Sequence, residues 1–343
     1  MRVFHSTRHH AHAPRTWLFK GGFAQPQEVP RRGDILLDAV VGAKHDVVEA
    51  GGDDLAPVRR VHDGGYLDFL ESAWAEWSKL PGASPEVVPN VHPGRAMGAR
   101  PEHIIGRSGY YQADGACPIG EGTWSAAVAS AQVALQAARA VAAGAGEAYA
   151  LCRPPGHHAY ADLAGGFCYL NNTAIAAQEC LRSGAAKVAI IDVDVHHGNG
   201  TQGIFYRRPD VLTVSLHGDP ARFYPYFAGY ADEQGEGPGR GANVNVPLPQ
   251  GTPDGAYLDA LEGALEKVAA FKPGMLVVAL GLDASGEDPL AFLAVSTDGF
   301  RRIGARLATL GLPTVLVQEG GYVSPVLGTN LAAVLTGFEA ARA

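Results

Sequence analysis

From about residue 120 onward, short apolar runs alternate with segments whose apolar residues recur at helical spacing. The runs EAYALCRPPG (147–156), KVAIIDVDVH (187–196), VLTVSLHG (211–218), MLVVALGLD (275–283) and PTVLVQEGGY (313–322) read as strands, the first closed by Pro-Pro-Gly. They are β-branched and nearly unbroken, the pattern of strands buried on both faces. Between them, 171–184 reads as a helix opened by Asn and closed by Gly. Residues 254–271 and 298–311 read as further helices, and one more follows 322. Alternation of this kind predicts an α/β fold, a doubly wound parallel sheet flanked by helices. No repeat or linker interrupts it, so residues 1–343 are expected to form one domain. Residues 1–115 are less regular and are expected to add edge structure and long loops. Within them, 12–33 (HAPRTWLFKGGFAQPQEVPRRG) is a long irregular insertion, expected to be functional.

The polar clusters RPPGHH, DVDVHH, LGLD and QEGGY all fall at the carboxyl ends of predicted strands. In open parallel sheets that rim is where ligands bind. Composition changes little in this picture. A chain of 343 residues, 47% hydrophobic and 18% charged, is ordinary globular protein. The net charge of -8, without a basic stripe, argues against a nucleic-acid partner. Cys117, Cys152, Cys168 and Cys180 include no C-x-x-C pair and are expected to be buried, reduced thiols of a cytoplasmic protein. The N-terminus lacks the apolar core of a signal peptide, and no apolar run looks long enough to cross a membrane.

The richest cluster is IDVDVHHGNG (191–200). On a strand, Asp192, Asp194 and His196 project from one face. Two carboxylates and an imidazole suit a divalent metal such as Zn²⁺, with Fe²⁺ and Co²⁺ also compatible. Asp283, ending another apolar strand, is the natural further ligand, because a buried aspartate without a cation is costly. His157 and His158 suit general acid–base work beside such a metal. Gly320 and Gly321 let the chain turn and set Tyr322 beside a substrate, where its hydroxyl would donate to an oxyanion.

Taken in order, RPPGHHA, GGFCYLNN, IIDVDVHHGNGTQ, VSLHGDP, LGLDASGEDPL and QEGGY make the chain resemble the histone deacetylase superfamily. VHDGGYLDFLE (61–71) extends the likeness, and GYY (109–111) and GTW (122–124) resemble the bacterial acetylpolyamine amidohydrolase branch. The resemblance implies an arginase-deacetylase fold and a Zn²⁺ site of Asp194, His196 and Asp283. It makes His157 and His158 the tandem histidines and Tyr322 the oxyanion residue. Asp192 would bond His157, Asn199 would orient His158, and His197 would be structural. A structural K⁺ would be held by Asp192, Asp194, His196, Ser215 and Leu216, largely through backbone oxygens. Phe167, next to Gly166, and Tyr224 would wall a narrow acyl tunnel, with Leu290 at its rim and Trp17 nearby.

The implied reaction is hydrolysis of an acylated amine such as an acetylpolyamine, with protein acetyl-lysine or other small amides as alternatives. The resemblance also implies a homodimer in which the 12–33 insertion narrows the entrance. Acidic residues that meet a polyamine in this branch are replaced here by Trp17, Ile105 and Ala116, with Asp114 close by and Glu28 a substitute candidate. A dimanganese ureohydrolase would need D-x-D spacing at the later strand, which ASGED after Asp283 lacks. An acyl-ligand sensor would be expected to have lost a ligand, a histidine or the tyrosine, and all are present.

Overall fold

The structure is a computed structural model and describes residues 1–342. Its strands are β1 (Arg2–His5), β2 (Trp17–Phe19), β3 (Gly22–Ala24), β4 (Asp46–Glu49), β5 (Glu147–Ala150), β6 (Val188–Asp192), β7 (Val211–Gly218), β8 (Asn243–Leu248), β9 (Met275–Leu280) and β10 (Thr314–Gln318). Eight of these form one parallel sheet in the order β4-β1-β5-β10-β9-β6-β7-β8, while β2 and β3 make a separate antiparallel hairpin. The helices are α1 (Pro30–Gly42), α2 (Gly64–Trp77), α3 (Ile104–Tyr111), α4 (Thr123–Ala140), α5 (Asn172–Arg182), α6 (Asn199–Phe205), α7 (Asp254–Phe271), α8 (Thr297–Ala308) and α9 (Leu327–Ala340).

Period two divides the core. Ala148, Ala150, Val188, Ile190, Val277, Val315 and Val317 face one layer, with α2, α4 and α5. Their alternates Tyr149, Leu151, Ala189, Ile191, Leu276, Val278 and Leu316 face the other, with α1, α7, α8 and α9. Each central strand is thus apolar on both faces, as a sheet covered on both sides requires.

The edges are polar or short. β4 (DVVE) closes one side, and β8 (NVNVPL) closes the other with a proline tolerated at an edge. Among the N-terminal residues, β1 lies inside the sheet, between β4 and β5. One helical stretch, Thr123–Ala145, is long and apolar enough to cross a membrane, contrary to the expectation that none is. Of its most apolar window, 72% is buried inside the protein, so its hydropathy reflects a core helix packed on both α5 and the sheet.

The strands end earlier than expected. β6 stops at Asp192, so Asp194 and His196 do not share a strand face with it. The reason is local. Asp192 Oδ1 accepts the Asp194 N–H (3.1 Å), and Asp194 Oδ1 accepts the His196 N–H (2.9 Å). Aspartate side chains that capture backbone donors two residues ahead compete with the sheet ladder and turn the chain. β9 and β10 likewise stop at Leu280 and Gln318, before Asp283 and Tyr322.

Candidate active site

Four adjacent strands, β5, β10, β9 and β6, end on the same rim, and the loops leaving them carry the polar clusters. After β6, Asp194 Oδ1 lies 3.1 Å from His196 Nδ1. That same nitrogen lies 3.2 Å from Asp283 Oδ2, which follows β9. Asp194, His196 and Asp283 offer ligand atoms within 4.8 Å of one another. Asp283 Oδ2 is buried without a hydrogen-bond partner, while Oδ1 accepts the Val195 N–H (3.0 Å). Burial and the nearby Asp194 push Asp283 above the ordinary aspartate range. Two dry carboxylates converging on one imidazole nitrogen, with an oxygen orphaned between them, fit a divalent cation. Gly320 lies so close that a Cβ there would run into the carboxylates of both Asp283 and Asp194.

His196 is oriented by aromatic stacking that sequence reasoning missed. Phe223 lies 4.8 Å from its ring at 14° and itself stacks on Phe292.

The tandem histidines differ by their partners. His157 Nδ1 is 2.9 Å from Asp192 Oδ2, and its Nε2 is 3.8 Å from Asp194 Oδ1. Burial opposes charge on this ring, but Asp194 and Asp192 together outweigh it and push its pKa up to about 10. His158 Nδ1 lies 2.6 Å from Asn199 Oδ1, a geometry in which Nδ1–H donates and Nε2 keeps its lone pair. Burial, then His157 and His196, drive the pKa of His158 well below its ordinary value. One ring is thus held cationic and its neighbour, 4.1 Å away, held neutral.

Glu319, which sequence reasoning missed, sets the histidine loop. It is fully buried, and its Oε2 accepts the N–H groups of Gly156 (2.6 Å) and His157 (2.9 Å). Thr173 donates to its Oε1 (2.6 Å). A carboxylate directly after an apolar strand, in QEGGY, was the available signal.

Tyr322 packs with Phe167 (5.6 Å), which meets Trp17 (5.5 Å), and Ala116 and Leu290 lie against this cluster. Burial, then Asp283, hold the Tyr322 hydroxyl protonated, well above its ordinary pKa. Tyr224 stands apart from the cluster. It packs edge-on to His158 (5.0 Å) and His196 (6.1 Å), and its hydroxyl donates to Asp114 Oδ2 (2.6 Å). Gly166 has φ +51°, and a Cβ there would strike His158. Ile105 is exposed on α3.

Glu28 is not at an entrance, which corrects its candidacy as a substrate-binding acid. It is completely buried, 2.9 Å from Arg153 Nε and 3.2 Å from Arg32 Nη1. Arg32 in turn donates to the carbonyls of Glu319 and Gly321 and lies over the Tyr322 ring.

Ser215 faces Asp192 across the β6–β7 register. His217 Nε2 meets the Gly229 carbonyl (2.8 Å), so it donates there and its Nδ1 accepts from the Ser215 hydroxyl (2.8 Å). The Ser215 lone pairs are thereby left free. Leu216 follows, fully buried in β7. His197 is buried and within 3.1 Å of Gln202 Oε1.

Two other groups bring three possible ligands together, His157–Cys168–Glu319 and His9–His10–Asp34. In the first, Glu319 is already engaged by backbone donors. In the second, the Arg153 guanidinium 3.4 Å from His9 Nδ1 opposes a further cation.

The sequence profile of the histone deacetylase domain matches residues 27–338. The chain belongs to the histone deacetylase family. Within it, the chain falls in the branch of the bacterial acetylpolyamine amidohydrolases. It is 48% identical to the acetylpolyamine amidohydrolase of Burkholderia pseudomallei over 96% of both chains. It is 46% identical to acetylpolyamine amidohydrolase 1 of Pseudomonas aeruginosa over 99% of both. The crystal structure of acetylpolyamine aminohydrolase from Burkholderia pseudomallei superposes with a TM-score of 0.96 over 100% of each chain, at 46% identity. The sheet and its helical layers are therefore the arginase-deacetylase fold, and this histone deacetylase family member is a hydrolase of linear amide C–N bonds. The family is generally metal-dependent.

Proposed function

We propose that the protein removes the acetyl group from a short acylated amine, an acetylpolyamine foremost, using Zn²⁺ held by Asp194, His196 and Asp283. The observation that carries this is the convergence of those three buried groups beside two histidines, one held by the Asp192 carboxylate and the other by the Asn199 amide oxygen. The names and near-full-length identity of the relatives support the substrate class. A bound Zn²⁺ would polarise the acyl carbonyl and acidify a water, and Fe²⁺ or Co²⁺ would do similar chemistry.

The protein's own groups do the rest. His158, neutral and with Nε2 free, takes the proton of the attacking water and returns it to the leaving amine. His157, held by Asp192, supplies positive charge beside the developing oxyanion. Tyr322, kept protonated, donates to that oxyanion. Trp17, Phe167, Tyr224 and Leu290 exclude water around a linear chain, and Gly166 admits it close to His158.

We further infer a structural K⁺ at Asp192, Asp194, His196, Ser215 and Leu216, which the free lone pairs of Ser215 support. A homodimer is supported by the β2–β3 hairpin, whose Phe23 is 71% exposed while Trp17 is buried. A cytoplasmic setting is supported by four free, buried cysteines. No nucleic-acid or membrane partner is proposed, and the 1–343 chain is proposed as one catalytic domain.

The test is amine release by zinc-loaded protein from acetylputrescine, acetylcadaverine, acetylspermidine, an acetyl-lysine peptide and a neutral aryl acetamide, with Asp194→Ala as control. Turnover of the acetylated amines, lost in the control, is expected. Turnover of only the peptide or the neutral amide would keep the chemistry and overturn the substrate. That outcome would fit the apolar Ala116 and Trp17 at the tunnel.

A further inference from the structure

Asp288 lies in the loop after β9, five residues beyond the proposed ligand Asp283, and is 7% exposed. Its two oxygens are divided between two backbone donors. Oδ1 accepts the Leu290 N–H at 2.8 Å, and Oδ2 accepts the Tyr322 N–H at 2.7 Å. The loop is closed on itself around this residue, since the Asp288 N–H donates to the Ser285 carbonyl and the Ala291 N–H donates to the Asp288 carbonyl. Leu290 also packs against the side-chain cluster of Trp17, Phe167 and Tyr322. One carboxylate therefore ties the backbone of a rim residue to the backbone of the residue that faces the reacting carbonyl. On the other side of Tyr322, Arg32 grips the carbonyls of Glu319 and Gly321. With the preceding carbonyls held by a guanidinium and its own N–H held by a carboxylate, Tyr322 has little freedom to shift.

We propose that Asp288 is a positioning residue, which places the Tyr322 hydroxyl for the reaction and locks the Leu290 rim to it. The proposal rests on the role given to Tyr322 above. A carboxylate is needed because both partners are donors. Asparagine keeps one acceptor oxygen and turns an N–H₂ group toward the other N–H, so either Leu290 or Tyr322 must let go. Both bonds are short for N–H donors, 2.8 and 2.7 Å, which suits a clamp.

The experiment is a double-mutant cycle on turnover, using zinc-loaded full-length protein and the best substrate of the panel. D288N is expected to lower kcat about tenfold or more, as small misplacements of catalytic groups do, with KM within about threefold and metal content unchanged. In the Y322F background the same change is expected to lower kcat less than about twofold, because the group it positions is gone. A loss of purely structural origin would be the same size in both backgrounds, and that result would overturn the proposal. So would a D288N enzyme with normal kcat while Y322F is inactive. If Y322F itself keeps normal turnover, the role of Tyr322 fails and this proposal fails with it. If D288N does not fold, judged by its thermal melt, D288E keeps both acceptors on a longer arm. It is expected to lower kcat in the wild-type background and to be silent in Y322F, and equal losses in both would again overturn the proposal.

Discussion

At the scale of single residues, what matters is which partner each polar group holds. Tyr322→Phe removes one oxyanion donor and nothing that touches the ligand set. It should cost about 10²–10³ in kcat with metal content unchanged, measured by steady-state rates and metal analysis. Glu319→Gln is different in kind. It removes the charge from the acceptor of Gly156 and His157 and makes the Thr173 hydroxyl turn to accept, so it should cost about 1–3 kcal/mol in urea unfolding as well as turnover. Asp194, His196 and Asp283 were legible in the sequence because charge after an apolar strand is conspicuous, and Tyr322 because two glycines precede it. Arg32, Asp288 and Glu28 were not. The partners that make them clamps, Gly321, Tyr322 and Arg153, lie 289, 34 and 125 residues away, although Glu28 also pairs with Arg32 one helical turn on.

At the scale of elements, the existence and order of the long apolar strands and amphipathic helices were legible, but β5, β6, β9 and β10 stop short of their expected ends. β7 (Val211–Gly218) and α7 (Asp254–Phe271) match their expected spans. The four-residue β1 and β4 were hidden because they are too short to show a period, and β8 because edge strands need not be apolar. The end of β6 was misread because side-chain acceptors, not the hydrophobic pattern, stop it.

The insertion 12–33 and helix α1 are joined to the site through the Glu28–Arg32–Arg153 network. Glu28→Gln would leave two guanidiniums buried with their charge uncompensated. It should therefore lower unfolding stability by about 3–5 kcal/mol, read from urea midpoints. Unchanged midpoints would mean the network is balanced by other groups.

At the scale of the whole molecule, four histidines away from the ligand set are held neutral. Burial lowers His9, His12, His62 and His217 each to about 4. His62 shows why, since its Nε2 accepts the Asn171 N–H at 2.9 Å and has no room for a second proton. The sign follows from linkage. Below the ordinary histidine pKa of 6.5 the unfolded chain binds protons that the folded chain refuses, so stability falls as pH drops from 6.5 towards 4. Each such group contributes a slope of up to about 1.4 kcal/mol per pH unit. Asp192 and Asp288, raised to about 7, act with the opposite sign over the same range, so the readout is a difference: in urea unfolding at pH 7, 6 and 5, wild type should lose more stability on acidification than His62→Gln. The hairpin makes a further prediction at this scale. Phe23→Asp should convert a dimer to a monomer in light scattering, whereas a wild-type monomer would end the dimer proposal.

The strand order has a consequence for how the chain acquires its shape. β9 and β10 lie between β5 and β6, yet are made after both. A nascent chain that has completed β8 therefore has a gap at the centre of its sheet, and His157 and Asp194 cannot yet face Asp283 or Tyr322. Contacts this distant in sequence form slowly, since Val188 of β6 must find Met275 of β9 and Glu147 of β5 must find Thr314 of β10. Refolding followed by cobalt absorbance should show the metal site appearing only in the last phase, together with protection of the central amides. A cobalt signal that precedes that protection would mean the rim assembles before the strands that carry it.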